Sequence, residues 1–152
     1  MGLIAQCIPQ GYCHTCTGCC RFAAADSCWV PRLLEEETKE FAGLRVVQDS
    51  PAAQFRCEFL DPGANACRVY DRRPFECQLY PFVLCRRGTR TFVCADPACV
   101  FVRENKHRPE FQAFARQLLR HLSTPSLLDL IRRNPHLVQE YDGVEAIGEI
   151  EL

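Results

Sequence analysis

The apolar positions change rhythm twice along the chain. Over residues 1–31 they keep no helical or strand period, and Pro9, Gly11, Gly18 and Pro31 punctuate a stretch rich in cysteine. That texture predicts a loop-dominated lobe with one helical turn after Cys20. Pro31 to Arg45, PRLLEEETKEFAGLR, then brings Leu33, Leu34, Phe41 and Leu44 back near helical spacing, behind an early Pro and a run of acids. A helix over 31–45 is the expectation.

From Val46 the runs shorten. Two of them flank Asp61-Pro62-Gly63-Ala64-Asn65, a turn composition, and predict a β-hairpin with Cys57 on one arm and Cys67 on the other. Pro74 and Pro81 forbid one long element over DRRPFECQLYPFVLC. RTFVCADPACVFV reads as a strand, a turn at Asp96-Pro97 and a second short strand, with Arg86–Arg90 as the hairpin tip before it. In the last third the period becomes helical. Phe111, Phe114, Ala115, Leu118, Leu119 and Leu122 share one face of a helix over 109–122. Thr124-Pro125 is an N-cap followed by Pro, opening a second helix. The chain ends on alternating apolar and acidic residues in GVEAIGEIEL. The pattern implies an α+β fold: a small, irregular, metal-organised cysteine-rich lobe with short hairpins, packed with several α-helices. Residues 1–104 form the cysteine-cluster region and 105–152 a helical C-terminal region of the same domain.

Composition alters this picture through sulfur alone. Twelve of 152 residues are Cys, about 8%, near the range of thiol-organised chains. Formal charge is −1, so no global field points to nucleic acid or a membrane, and neither is expected as a partner. The opening residues lack the basic and apolar regions of a signal peptide, and a cytoplasmic location is the expectation. In a reducing compartment, clustered thiols are metal ligands or redox groups more often than disulfides.

The densest cluster is CHTCTGCC, Cys13-x2-Cys16-x2-Cys19 with Cys20 immediately after. A Cys-x-x-Cys turn lets two thiolates converge on one ion. Neighbouring side chains usually diverge, so Cys19 and Cys20 are expected to serve different sites, or one of them to pack. Cys57-x9-Cys67-x9-Cys77 supplies three more thiols, each beside a turn, and Cys94 completes eight. Eight thiolates fill two four-ligand sites, or one cluster and one single-ion site. From Arg68 to Arg90, six arginines face only Asp71 and Glu76. Arg73, held by Pro74 between two proposed ligands, is expected to donate to a carboxylate or thiolate near the metal. Cys7, Cys28, Cys85 and Cys99 are expected to behave as small buried hydrophobes.

CHTCTGCC followed by CEFLDPGANACRVYDRRPFECQLYPF resembles the YkgJ-type cysteine-cluster family, the CxxCxxCC zinc- or iron-chelating domain. The match runs through Cys13, Cys16, Cys19, Cys20, Cys57, Cys67 with Val69-Tyr70, Arg73-Pro74, and Cys77 with Tyr80-Pro81. It thins at Cys94-Ala95-Asp96. The resemblance implies metal chelation and no particular reaction.

Spacing favours an iron–sulfur cluster over zinc, because zinc ribbons pair two separate Cys-x2-Cys knuckles and this chain has only the one overlaid block. The expected roles are electron transfer, metal handling or support of a partner enzyme. A structural-zinc protein and a metal-dependent protein-modifying enzyme are the alternatives. A thiol–disulfide oxidoreductase ranks lower, since no parallel-sheet pattern surrounds the motif.

Overall fold

Turn chemistry, rather than long periodic stretches, organises the first half of the chain. In the computed structural model, which describes residues 4–42, 44–49 and 54–152, the elements fall into two compact units, Met1–Gln78 and Leu79–Leu152. Five α-helices and three small antiparallel sheets are present among the described residues, the expected α+β class. No helix among them is long and apolar enough to cross a membrane.

In the first unit, α1 (Gln10–Thr15) carries Cys13, the first thiol of the cysteine block. The helical turn expected after Cys20 is instead a two-residue strand, β1 (Arg21–Phe22). It joins β3 (Gln54–Cys57), which also pairs with β2 (Val46–Asp49), giving the order β1-β3-β2. The register sets Arg21 opposite Arg56 and Val46 opposite Cys57. Like charges face each other at Arg21 and Arg56, and each has its own partner: Asn65 Oδ1 for Arg21, and Asp49 with the Leu60 carbonyl for Arg56. The Asp61–Asn65 turn forms as expected between β4 (Leu60–Asp61) and β5 (Ala66–Cys67). Cys57 is not on that hairpin; it ends β3 in the neighbouring sheet, and Leu60 takes the place opposite Cys67.

The helix expected over 31–45 reduces to a 3-10 turn at Glu35–Glu37. Glu37 decides this. One carboxylate oxygen accepts the Leu34 N–H at 2.9 Å and the other accepts the Phe75 N–H at 2.7 Å, so the side chain is drawn into the unit. Ala42, at φ 45°, then turns the chain out of the helical region. Leu34, Phe41 and Phe75 are buried here, and Phe41 meets Phe59 edge-on at 6.0 Å. Helix α2 (Phe75–Leu79) closes the unit and carries Cys77.

The second unit is more regular. β6 (Phe82–Arg87) and β7 (Arg90–Ala95) form a hairpin with Gly88 at φ 63° in its tip, as expected for residues 86–90. The segment after Asp96-Pro97 is helical, not a strand: α3 (Val100–Asn105). Asp96 Oδ1 accepts the Ala98 N–H at 2.9 Å, and the resulting turn leads into helical geometry before the β-branched residues can pair. Helices α4 (Pro109–Leu122) and α5 (Pro125–Arg133) follow at the expected places. Thr124 has the extended N-cap backbone, but its hydroxyl donates back to the His121 carbonyl instead of capping. Phe82 stacks on Phe111 at 5.7 Å and meets Phe114 at 6.0 Å, and Leu118, Leu122, Leu127 and Ile131 are buried with them.

The alternating C-terminus forms β8 (Glu145–Ile150), antiparallel to β7, with a bulge where Val93 pairs with Gly148 and Cys94 with Ala146. A Cβ at Gly148 would collide with Leu119 of α4. Gly148→Val will destabilise the chain by about 1–3 kcal/mol, read from the urea midpoint; an unchanged midpoint would mean that α4 does not press on this strand. The basic tip is tied down. Arg86 and Arg87 donate to the Val138 and Val144 carbonyls, and Arg90 pairs with Glu149.

Candidate metal centre

The cysteine block begins on a helix and leaves it at once. Cys13 lies on α1, which ends at Thr15, and the Cys16 N–H reaches back to the Cys13 carbonyl. The Gly18 N–H then points at the Cys16 sulfur, 3.3 Å away, the N–H···S contact that supports a thiolate in a Cys-x-x-Cys turn. Pairing of β1 with β3 carries the next thiol across: the Cys57 N–H donates to the Cys20 carbonyl at 3.0 Å. Cys67 arrives on β5 and Cys77 on α2.

Seven of the eight expected ligands act on one another electrostatically within the first unit. Cys20 is the common neighbour of Cys13, Cys19, Cys57, Cys67 and Cys77, and Cys16 joins the set through Cys13. The Cys20 sulfur accepts a hydrogen bond from Cys19, which lowers its pKa against the opposing effect of burial, and Arg21 and Arg73 lower it further. The same bond is the leading cause that raises Cys19, which also feels Cys77 and Cys13. Burial pushes Cys57 up to about 11, with Cys20 and Cys67 adding to it. Cys77 is raised well above the ordinary thiol value, first by burial and then by Cys20, Cys57 and Cys67. Cys13 and Cys67 are raised by burial and partly offset, in Cys13 by Arg73 and in Cys67 by the Val69 N–H and Arg73; Cys16 adds to the shift at Cys13.

Arg73 thus faces three of the thiols, Cys13, Cys20 and Cys67. Its backbone is extended, as a residue before proline prefers, its Nε donates to the Tyr70 carbonyl at 2.9 Å, and its guanidinium lies 3.9 Å from the Tyr70 ring centre. The charge is therefore held flat and aimed.

Cys94 sits elsewhere in the chain. It is buried on β7 in the second unit, where burial, then Cys85, push it up to about 12. Cys85 and Cys99 are buried as expected, whereas Cys7 and Cys28 are only half-buried. Cys13, Cys16, Cys19, Cys20, Cys57, Cys67, Cys77 and Cys94 are thiols and not cystines.

Two observations test whether this set suits a metal. Cys19 and Cys20 converge, contrary to the expectation that neighbours diverge: their sulfurs are 3.9 Å apart. Bonds of about 2.3 Å to a tetrahedral zinc give a sulfur–sulfur edge of about 3.8 Å. The donor chemistry also fits, because the converging groups are soft thiols with a guanidinium and an N–H to offset their charge. Among the described residues no three Cys, His, Asp or Glu side chains already share one ion-binding geometry, so an ion would have to draw the sulfurs inward.

The profile of the family described as "CxxCxxCC: Putative zinc- or iron-chelating domain" matches residues 12–100. The match covers more than half of the chain, and the protein belongs to that family. Comparisons with curated proteins and with solved structures each gave no match.

Sequence reasoning missed Asn65, whose amide donates to the carbonyls of His14 at 2.8 Å and Cys16 at 2.9 Å. The available signal was an Asn closing an Asp-Pro-Gly turn two residues before a ligand.

Proposed function

We propose that the protein holds an iron–sulfur cluster in a cytoplasmic setting through thiolates drawn from Cys13, Cys16, Cys19, Cys20, Cys57, Cys67 and Cys77, and works in electron transfer or in support of a partner enzyme. The observation that supports this reading is the gathering of Cys13, Cys19, Cys57, Cys67 and Cys77 around Cys20, with Cys16 adjoining Cys13, more thiols than the four that a single zinc takes. A bound cluster supplies one-electron chemistry, with a potential set by charge, hydrogen bonds and exposure. The residues of the chain supply the rest. The Gly18 N–H and the Arg73 guanidinium place positive character beside the sulfurs, and burial at Cys57 and Cys77 keeps water from them.

Zinc is the second reading, favoured by one distance. Two thiols 3.9 Å apart on adjacent residues suit one tetrahedral ion, whereas a four-iron cluster takes its four cysteines at separate irons. Cys94 belongs to either reading as an eighth ligand proposed from spacing alone. Anaerobic purification separates the readings. Brown protein with iron and acid-labile sulfide supports the cluster, colourless protein with stoichiometric zinc supports the single ion, and protein with neither metal rejects both.

Arg73 gives a sharper test of the site. Arg73→Lys keeps the charge but loses the flat stack on Tyr70, and will cost about tenfold in metal retention. Metal content after gel filtration equal to that of the parent chain would remove Arg73 from the site.

A further inference from the structure

Asn65 occupies an unusual crossing point. Its backbone is left-handed, φ 49°, a conformation that Asn tolerates better than most residues. The turn before it is already fixed, because Asp61 Oδ1 accepts the Gly63 and Ala64 N–H groups at 2.9 and 3.1 Å. The Asn65 side chain is therefore not needed to make the hairpin. Instead it reaches back about fifty residues in sequence. Nδ2 donates to the carbonyls of His14 and Cys16 at 2.8 and 2.9 Å, with Cys13 further off at 3.4 Å, while Oδ1 accepts from Arg21 Nη1 at 2.8 Å. A primary amide has two N–H donors and one oxygen, and here both ends are in use.

The consequence for the sulfurs follows from direction. In a Cys-x-x-Cys turn the N–H groups serve the thiolates, as Gly18 does for Cys16. Asn65 takes the His14 and Cys16 carbonyls of the same stretch, while the Gly18 N–H serves the Cys16 sulfur. Through Arg21 it also grips the residue that follows Cys20. One amide thereby joins the first cysteine block to the hairpin that carries Cys67.

We propose that Asn65 is a positioning residue for the thiolate centre, presetting the Cys13–Cys20 loop against the Cys67 hairpin before any ion arrives. This rests on the thiolate-centre reading and adds a metal-independent template to it. Asp61 holds the turn, Asn65 contributes its left-handed backbone, and the hydrogen bonds of the Asn65 amide go to residues 13–21.

The test uses the full chain. Amide hydrogen exchange is followed in the metal-free protein; cobalt(II) is then added as the probe, and its transfer to a chelator is timed. Asn65→Gly retains access to the left-handed backbone and loses the amide. In that variant exchange over residues 13–21 will quicken about tenfold, and cobalt will leave about tenfold faster with weaker sulfur-to-cobalt absorption per bound ion. Asp61→Ala loosens the same turn without touching the cysteine loop and will keep the parent's cobalt absorption. Exchange and transfer in Asn65→Gly within about twofold of the parent would overturn the proposal, as would an equal loss in Asp61→Ala. A parent chain that takes up no cobalt overturns the thiolate-centre reading itself, and the two failures are told apart because only this one appears without any substitution.

Discussion

Cys20→Ser will empty the centre more completely than any other single thiol replacement. Cys19, Cys13, Cys57, Cys67 and Cys77 all interact with Cys20, and it is the one thiol among them whose pKa is lowered. A thiolate is the ligand, so the sulfur most easily ionised is the natural first contact for an incoming ion. Serine keeps the size and removes that chemistry. Bound metal per chain will fall to about a tenth of the parent value or less, measured by elemental analysis after desalting. Cys28→Ser, at a half-buried position outside this set, will hold its metal. If Cys20→Ser loads as fully as the parent, the thiols do not meet around a common ion.

Metal removal will act on the two units unequally. The first has strands of two to four residues, a 3-10 turn in place of a long helix, and several thiols beside a small apolar core. In such chains binding energy is folding energy, about 10–16 kcal/mol for zinc in small finger peptides. The second unit has a hairpin of two six-residue strands, two full helices and a phenylalanine cluster of its own. With a chelator present, amides of residues 13–22 and 54–67 will exchange more than about a hundredfold faster, while those of β6, β7 and α4 change by less than about threefold. Equal protection in both units, with and without metal, would show that the first unit does not depend on its ion.

What could be read from residue order was what local chemistry decides. The Asp61–Asn65 turn, the tip at Gly88 and helices α4 and α5 depend on nearby Pro, Gly and apolar spacing, and each appeared where the pattern put it. Of the readings that failed, two lost to a distant group and another to a local turn. Residues 31–45 have the spacing of a helix, but Glu37 bonds to Phe75, far along the chain, and the periodic stretch collapses to one turn. Cys57 was assigned to the nearer hairpin, yet β3 pairs with β1 and β2 instead. The apolar run after Asp96 looked extended until the turn at that aspartate led it into α3. At the site, the cysteines themselves were visible from spacing. The closeness of Cys19 to Cys20 was not, because it depends on how the following strand is held.

Glu37 has one more effect. By gripping Leu34 with one oxygen and the first residue of α2 with the other, it couples an exposed acidic segment to the short helix that carries Cys77. Lys39 rides on that segment at the surface. The carboxylate that holds Leu34 thus also holds the helix of Cys77, and a dye on the Lys39 amine is expected to report any shift of that helix when the thiols take up an ion.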